Sequence, residues 1–156
     1  MPPFQAIRMM ITELTEAASI ELLSRAHLGR LACTQGLQPY VTPFYFVYDN
    51  HCLYGFSTVG QKIQWMRVNP LVSVQTDEIV NQEQWQSVVA SGRYEELPDT
   101  PDWAIERSTA SALFQRNAVW WEPGIAKTTL KTGERLMLPV VFRIHLTRIT
   151  GHRGDR

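Results

Sequence analysis

Strand-period patterning dominates this chain. Six runs are apolar enough, and bounded closely enough by turn residues, to read as strands: residues 28–34, 40–48, 52–57, 71–76, 84–97 and 137–147. The last is the clearest, with Leu138, Val140, Phe142, Ile144 and Leu146 on one face. Helical spacing appears in fewer places. From Thr15, the run TEAASIELLSRA has a capping residue, Glu16 in the first turn, and Ile20, Leu23 and Ala26 along one side. Residues 60–69 predict a short helix that stops at Asn69-Pro70, because proline drives the residue before it out of the α region. Residues 103–114 predict a further helix, with Trp103, Ala110, Leu113 and Phe114 near helical spacing. Antiparallel strands with so little helix between them predict a small barrel closed on itself, its first three strands a meander without crossovers.

Residues 39–70 carry the most information. Asp49-Asn50 are residue types that accept the backbone of a two-residue hairpin, so 40–48 and 52–57 are expected to pair antiparallel. Both faces of 40–48 are largely apolar, whereas a strand with one wet face alternates. The second face therefore needs another layer, another subunit or a flat ligand. Pro39 and Pro43 lack donors, so this strand cannot be paired in full along both edges. Ser57 and Thr58 are good helix caps, Gly60 permits close backbone approach, and Lys62 falls in the first helical turn. Free N–H groups and the helix dipole there favour an anion, and a phosphate fits that description. On the long strand 84–97, Gly92 marks a bulge or a close approach.

Composition narrows the functional classes. The chain has 156 residues, 44% of them hydrophobic, which suits a single domain over 1–156 with a true core. Residues 1–11 and 151–156 read as a loosely ordered arm and tail. Fifteen basic and fifteen acidic residues leave no net charge, so no global basic field recommends nucleic acid, and little repulsion opposes self-association. The N-terminal sequence has no apolar run of membrane or signal-peptide type, and a cytoplasmic protein is expected. Cys33 and Cys52 fall in strands without a CxxC spacing and are expected to be reduced and buried; the four histidines show no metal-ligand spacing. No carboxylate pair, nucleophile elbow or serine–histidine arrangement stands out, so hydrolase chemistry has no footing. Residues 117–136 are too polar and broken for core structure and read as a functional or interface loop. Within it, Trp120-Trp121 suit either a lid stacked on a flat ring or an anchor packed on the barrel.

The motifs LGRLAC, PYVTPFYFVYD, LYGFST, GQKIQWMRVNPLVSV, WQSVVASGRYEEL and VFRIHLTRITG, in that order, resemble the flavin-binding split barrels related to pyridoxamine 5'-phosphate oxidase. The nitroimidazole-resistance subgroup is the nearest likeness, and the resemblance spans about residues 15–151. It implies a mostly β fold, a six-stranded antiparallel Greek-key split barrel, forming a two-fold homodimer with FMN bound across the subunit interface. It also implies site residues: backbone of Val41, Thr42 and Pro43 along the isoalloxazine edge, Phe56, Ser57 and Thr58 around the ribityl and phosphate, and Gln61 and Lys62 as the phosphate clamp. Trp85, Gln86 and Ser87 match the stretch that approaches the flavin from the long strand, and Trp121 is the candidate lid residue.

The sequence departs from the founding oxidase of that family. Where the oxidase has basic side chains, residues 42–46 read Thr-Pro-Phe-Tyr-Phe, and its serine–arginine–lysine clamp is reduced to Gln-Lys. The resemblance therefore implies an FMN-dependent oxidoreductase, with hydride arriving at flavin N5 from a small-molecule substrate or electron donor, but not pyridoxamine phosphate oxidation. The alternative is a flavin or haem carrier or sensor without turnover, for which His27 and His145 are candidate axial ligands. A deazaflavin is a further possibility within the enzyme class.

Overall fold

The computed structural model describes residues 10–117 and 139–155. Among these residues eight strands and three helices follow one another. They are β1 (Met10–Glu13), α1 (Glu16–Arg25), β2 (Leu28–Gln35), β3 (Gln38–Tyr45), β4 (Val47–Asp49), β5 (Cys52–Ser57), α2 (Gln61–Val68), β6 (Leu71–Asn81), β7 (Gln84–Glu96), α3 (Ala104–Arg116) and β8 (Val140–Asp155). A 3-10 turn over Pro101–Trp103 leads into α3. The strands form one antiparallel sheet in the order β3-β2-β6-β7-β8-β5-β4, with β1 added to the far end of β8.

The expected mostly antiparallel β fold is present, but not as a closed six-stranded barrel. Eight strands form an open path, and no ladder joins β3 to β4 or β5. Only Phe46 separates β3 from β4 in sequence, yet the two are the opposite edges of that path. The sheet must therefore coil until its edges approach, joined by chain rather than by hydrogen bonds. The expected strand 40–48 is thus two strands. β3 pairs with β2 along its whole length, and only Val47–Asp49 pairs with β5. The reversal falls one residue later than the sequence suggested: Asp49 still pairs with Cys52, and Asn50 and His51 both take positive φ. The pairings expected of the early meander are present, β2 with β3 and β4 with β5, but the break at Phe46 puts the two pairs at opposite ends of the path.

The buried core explains the bend. Phe44 and Phe46 both point inward and are fully enclosed, with Phe142 stacked on Phe44 at 5.5 Å between ring centroids. Phe46 N–H donates to the His27 carbonyl, ending the ladder with β2, and the next residue starts the ladder with β5. Leu22 and Leu23 of α1, Leu31, Val74, Val88 and Ile144 fill the same core. A second, smaller cluster lies under α3, where Ala110 and Leu113 meet Val47, Cys52, Tyr54 and Leu97.

Strands β6 and β8 run beyond their predicted ends. The C-terminal stretch expected to fray instead forms the end of β8, paired on one side with β7 through Trp85↔Gly154 and on the other with β1 through Met10↔Asp155. Its Arg153 and Asp155 form an ion pair at 2.7 Å along the strand. Gly92 does mark a bulge: the β7–β8 register shifts between Ser91 and Gly92, and a Cβ there would run into the His145 carbonyl oxygen. No helix among the described residues is long and apolar enough to cross a membrane.

Candidate functional site

Helix α2 begins without a side-chain cap. Its N-cap is Gly60 rather than Ser57 or Thr58; the Ser57 hydroxyl donates instead to the Thr58 carbonyl at 3.2 Å. The first-turn N–H groups therefore lack the usual oxygen acceptor. Above Gly60 the space is open, the nearest atom to an added Cβ being the Thr58 carbonyl oxygen at 3.9 Å. Lys62 lies in this first turn, half-buried, with no hydrogen bond or ion pair to any described residue. Burial lowers its pKa below the ordinary lysine value. A desolvated ammonium at the positive end of a helix is doubly unfavourable unless an anion joins it. Uncapped donors, open space over a glycine and an unbalanced cation together fit a phosphate group.

The edge of β3 that no described strand pairs with lies at the same corner. Lys62 lies near Cys33, where its charge partly offsets the burial that disfavours the thiolate, and Cys33 is paired in register with Tyr40 of β3. The Tyr40 ring meets Trp65 of α2 edge-on at 5.7 Å. Because Phe46 N–H faces β2, strand alternation turns the N–H of Val41 away from it, together with the donor-less nitrogens of Pro39 and Pro43. Val41 thus offers its backbone to a free edge, while its side chain is 60% exposed. Thr42 points inward and is half-buried, and Pro43 is exposed beside Val41. Both faces of this strand were apolar in sequence; the inward one is core and the outward one is open. A groove of about 370 Å³ continues across the outer face, lined by Cys33, Thr34, Pro39, Leu71, Ser73 and Ser91 among others, with the two serine hydroxyls 2.9 Å apart.

Ser57, Thr58, Gln61 and Lys62 thus lie where β5 leads into α2, and Val41, Thr42 and Pro43 follow Tyr40 on the strand that meets the same helix at this corner. Phe56 leads into it, although its ring packs edge-on against Phe114 at 5.2 Å under α3. Trp85, Gln86 and Ser87 are not at this corner in the same chain. Gly92, in register with Val72 near Cys33, is seven residues along β7 from Trp85, about 23 Å at the usual strand rise. Trp85 lies over Gly154, Gln86 accepts from Arg25 at 3.4 Å, and Ser87 accepts from Gln75 at 3.1 Å. Trp85 and Ser87 do alternate onto the same outer face as Val41 and Ser73. Trp121 and the rest of the predicted loop lie outside the described residues.

Both candidate axial histidines already have contacts. His27 Nδ1 is 3.4 Å from the Phe46 carbonyl oxygen, and His145 sits between Cys52 and Glu95. Neither Cys33 beside Lys62 nor the Cys52–His145–Glu95 set was legible in the sequence, since their members are far apart in the chain and share no motif. Burial raises the pKa of both thiols, and both are free. Among the described residues no group of histidine, cysteine or carboxylate side chains is arranged to hold a metal ion.

The sequence model of the pyridoxamine 5'-phosphate oxidase family matches residues 15–153. The chain belongs to that family. Rhizobium meliloti (strain 1021) protein RA0666 is 39% identical over 130 residues, covering 83% of this chain and 86% of its own. The crystal structure of a FAD-binding protein from Mesorhizobium loti superimposes with a TM-score of 0.76 at 37% identity, covering 95% of this chain and 99% of that one. At 18% identity and a TM-score of 0.67, a candidate 5-nitroimidazole antibiotic resistance protein from Bacteroides thetaiotaomicron covers 95% of this chain and 92% of its own, a likeness of fold alone. The fold shared with the M. loti structure is thus a mostly antiparallel sheet with three helices, not closed into a barrel.

Proposed function

We propose that this chain is a flavin-dependent oxidoreductase that holds the ribityl phosphate of FMN at the start of α2 and the ring edge along β3. The observation that carries this reading is the Lys62 ammonium, half-buried in the first turn of an uncapped helix with no anion from the described residues to balance it. Gly60 leaves room for the phosphate, Lys62 neutralises it, and Ser57, Thr58 and Gln61 surround it. The outward N–H of Val41 donates to the ring edge, and Val41 and Pro43 supply an apolar surface for the ring face. Bound flavin would supply hydride chemistry at N5. The chain's own part is to bind it, orient it and keep water from one side. FMN and the FMN half of FAD share this phosphate, and the FAD-binding M. loti relative favours FAD as the second reading.

Trp85, Gln86 and Ser87 belong to the proposal only if a partner provides them. Two-fold pairing of outer faces carries those of one protomer toward the Lys62 corner of the other, so a homodimer is part of this reading. Two free cysteines suit the reducing environment of a cytoplasm. Pyridoxamine phosphate is not proposed as substrate, because β3 carries Thr-Pro-Phe-Tyr-Phe along the segment where the founding oxidase is basic.

The visible absorption spectrum of the purified protein, with chromatography of what heat releases, tests the cofactor and separates FMN from FAD. Lys62→Ala is expected to weaken flavin binding about tenfold or more, as loss of a charged hydrogen bond does. Unchanged affinity in that variant overturns the phosphate assignment. Sustained oxidation of a reduced nicotinamide with an added acceptor is the result expected of the oxidoreductase; stoichiometric reduction without turnover makes the protein a carrier.

A further inference from the structure

Three to five strands along the sheet from β3, the outer face assembles a second polar set that the flavin reading does not use. Cys52 of β5 and His145 of β8 are register partners, and Cys52 Sγ lies 3.4 Å from His145 Nδ1. His145 Nε2 lies 3.1 Å from Glu95 Oε1 on β7. The same carboxylate accepts from Arg143 Nε at 2.8 Å, and Arg143 Nη1 reaches the Tyr54 hydroxyl at 3.5 Å. With Arg143 anchoring it, Glu95 stays ionised and takes the Nε2–H of the imidazole. That fixes the tautomer: Nδ1 carries the lone pair and faces the thiol. Thiol, base and orienting carboxylate are thus in line, each on a different strand of a rigid sheet.

We infer that Cys52 is a base-assisted thiol, a site at which small hydroperoxides oxidise this protein to a sulfenic acid. Access sets the class of reagent. Cys52 is 7% exposed and is packed among Val47, Tyr54, Leu97 and Leu113, which admits a small electrophile and excludes a bulky one. His145 Nδ1 takes the thiol proton as the sulfur attacks the outer oxygen of the hydroperoxide. The S–O bond forms, the O–O bond breaks, and the sulfur is oxidised by two electrons. The departing oxygen takes the proton back from the imidazolium and leaves as water or an alcohol, with the Arg143 guanidinium close by to offset its negative charge. Burial keeps the resting group a neutral thiol despite Arg143, with Glu95 and Asp49 also opposing ionisation, so the base is needed at the moment of reaction. Cys33 is the built-in comparison: also free and buried, 2% exposed, but with a lysine rather than a histidine beside it.

The test treats the native protein with hydrogen peroxide in the presence of dimedone, a trap for sulfenic acids, and follows both cysteine peptides by mass spectrometry. Cys52 is expected to acquire the adduct well before Cys33. His145→Gln, which keeps a planar polar side chain on β8 but no base, is expected to slow labelling of Cys52 about tenfold or more, with an unchanged thermal midpoint. Glu95→Gln is expected to slow it less. Equal labelling of Cys52 and Cys33 in the wild-type protein overturns the proposal without any substitution, and so does labelling of Cys52 in a folded His145→Gln protein at the wild-type rate.

Discussion

Two residues show what a sequence can and cannot announce on its own. Gly92 was legible: a glycine inside a long strand pattern means a bulge or a close approach, and it is both. The backbone of β8 occupies the place a side chain would take, so Gly92→Ala must push β7 and β8 apart at the centre of the sheet. We expect a loss of about 2–3 kcal/mol, read as a lower denaturation midpoint with the slope unchanged. A variant as stable as the parent would mean that the bulge relaxes freely. Lys62 was half legible. Its place in a first turn followed from the helix pattern, but that it is desolvated and without a partner among the described residues depends on the packing of α2 beside Cys33, which no local pattern encodes. Cys52 and His145 meet only because β5 and β8, 93 residues apart at that pair, become neighbours.

Helix starts illustrate the next scale up. Both α1 and α2 were read from a capping residue followed by helical spacing, and both helices exist. Only α1 is capped as its sequence suggests, with the Thr15 hydroxyl accepting from Ala18 N–H at 3.1 Å. β5 runs to Ser57 and α2 starts only at Gln61, so Ser57 and Thr58 lie too early to cap, and Gly60 takes the position with no side chain to offer. In flavin-free protein, Thr15→Ala should cost about 1 kcal/mol of stability, whereas Thr58→Ala should fall within about 0.5 kcal/mol of the parent. Equal losses would mean that α2 is capped after all and would remove the open donors on which the phosphate reading rests. The split of the expected strand at Phe46 has a similar origin. Hydropathy fixes that 44 and 46 are both core, but which strand each half pairs with is a long-range choice.

At the scale of the molecule, the outward surface of β3, β2, β6 and β7 is the feature that most needs an explanation. Val41 is 60% exposed, Leu71 63%, Ile79 68% and Val89 41%, and between them lie the small residues Ala32, Ser73 and Ser91. Small residues between apolar ones leave the groove already described, into which side chains of another sheet could pack, and an exposed apolar patch of this kind marks an interaction face. Zero net charge removes one barrier to pairing two copies. Sedimentation at micromolar concentration is expected to find two chains per particle. Val41→Lys, which sets a charge on that face beside the free edge of β3, is expected to shift the protein toward single chains and to lower flavin occupancy with it, since the partner's Trp85 and Ser87 then no longer reach the Lys62 corner. A wild-type protein that sediments as one chain would remove the dimer and leave those two residues without a route to the flavin. If Val41→Lys stays dimeric, the pairing uses another face. If it becomes monomeric yet keeps its flavin, the corner formed by α2 and β3 binds cofactor without help.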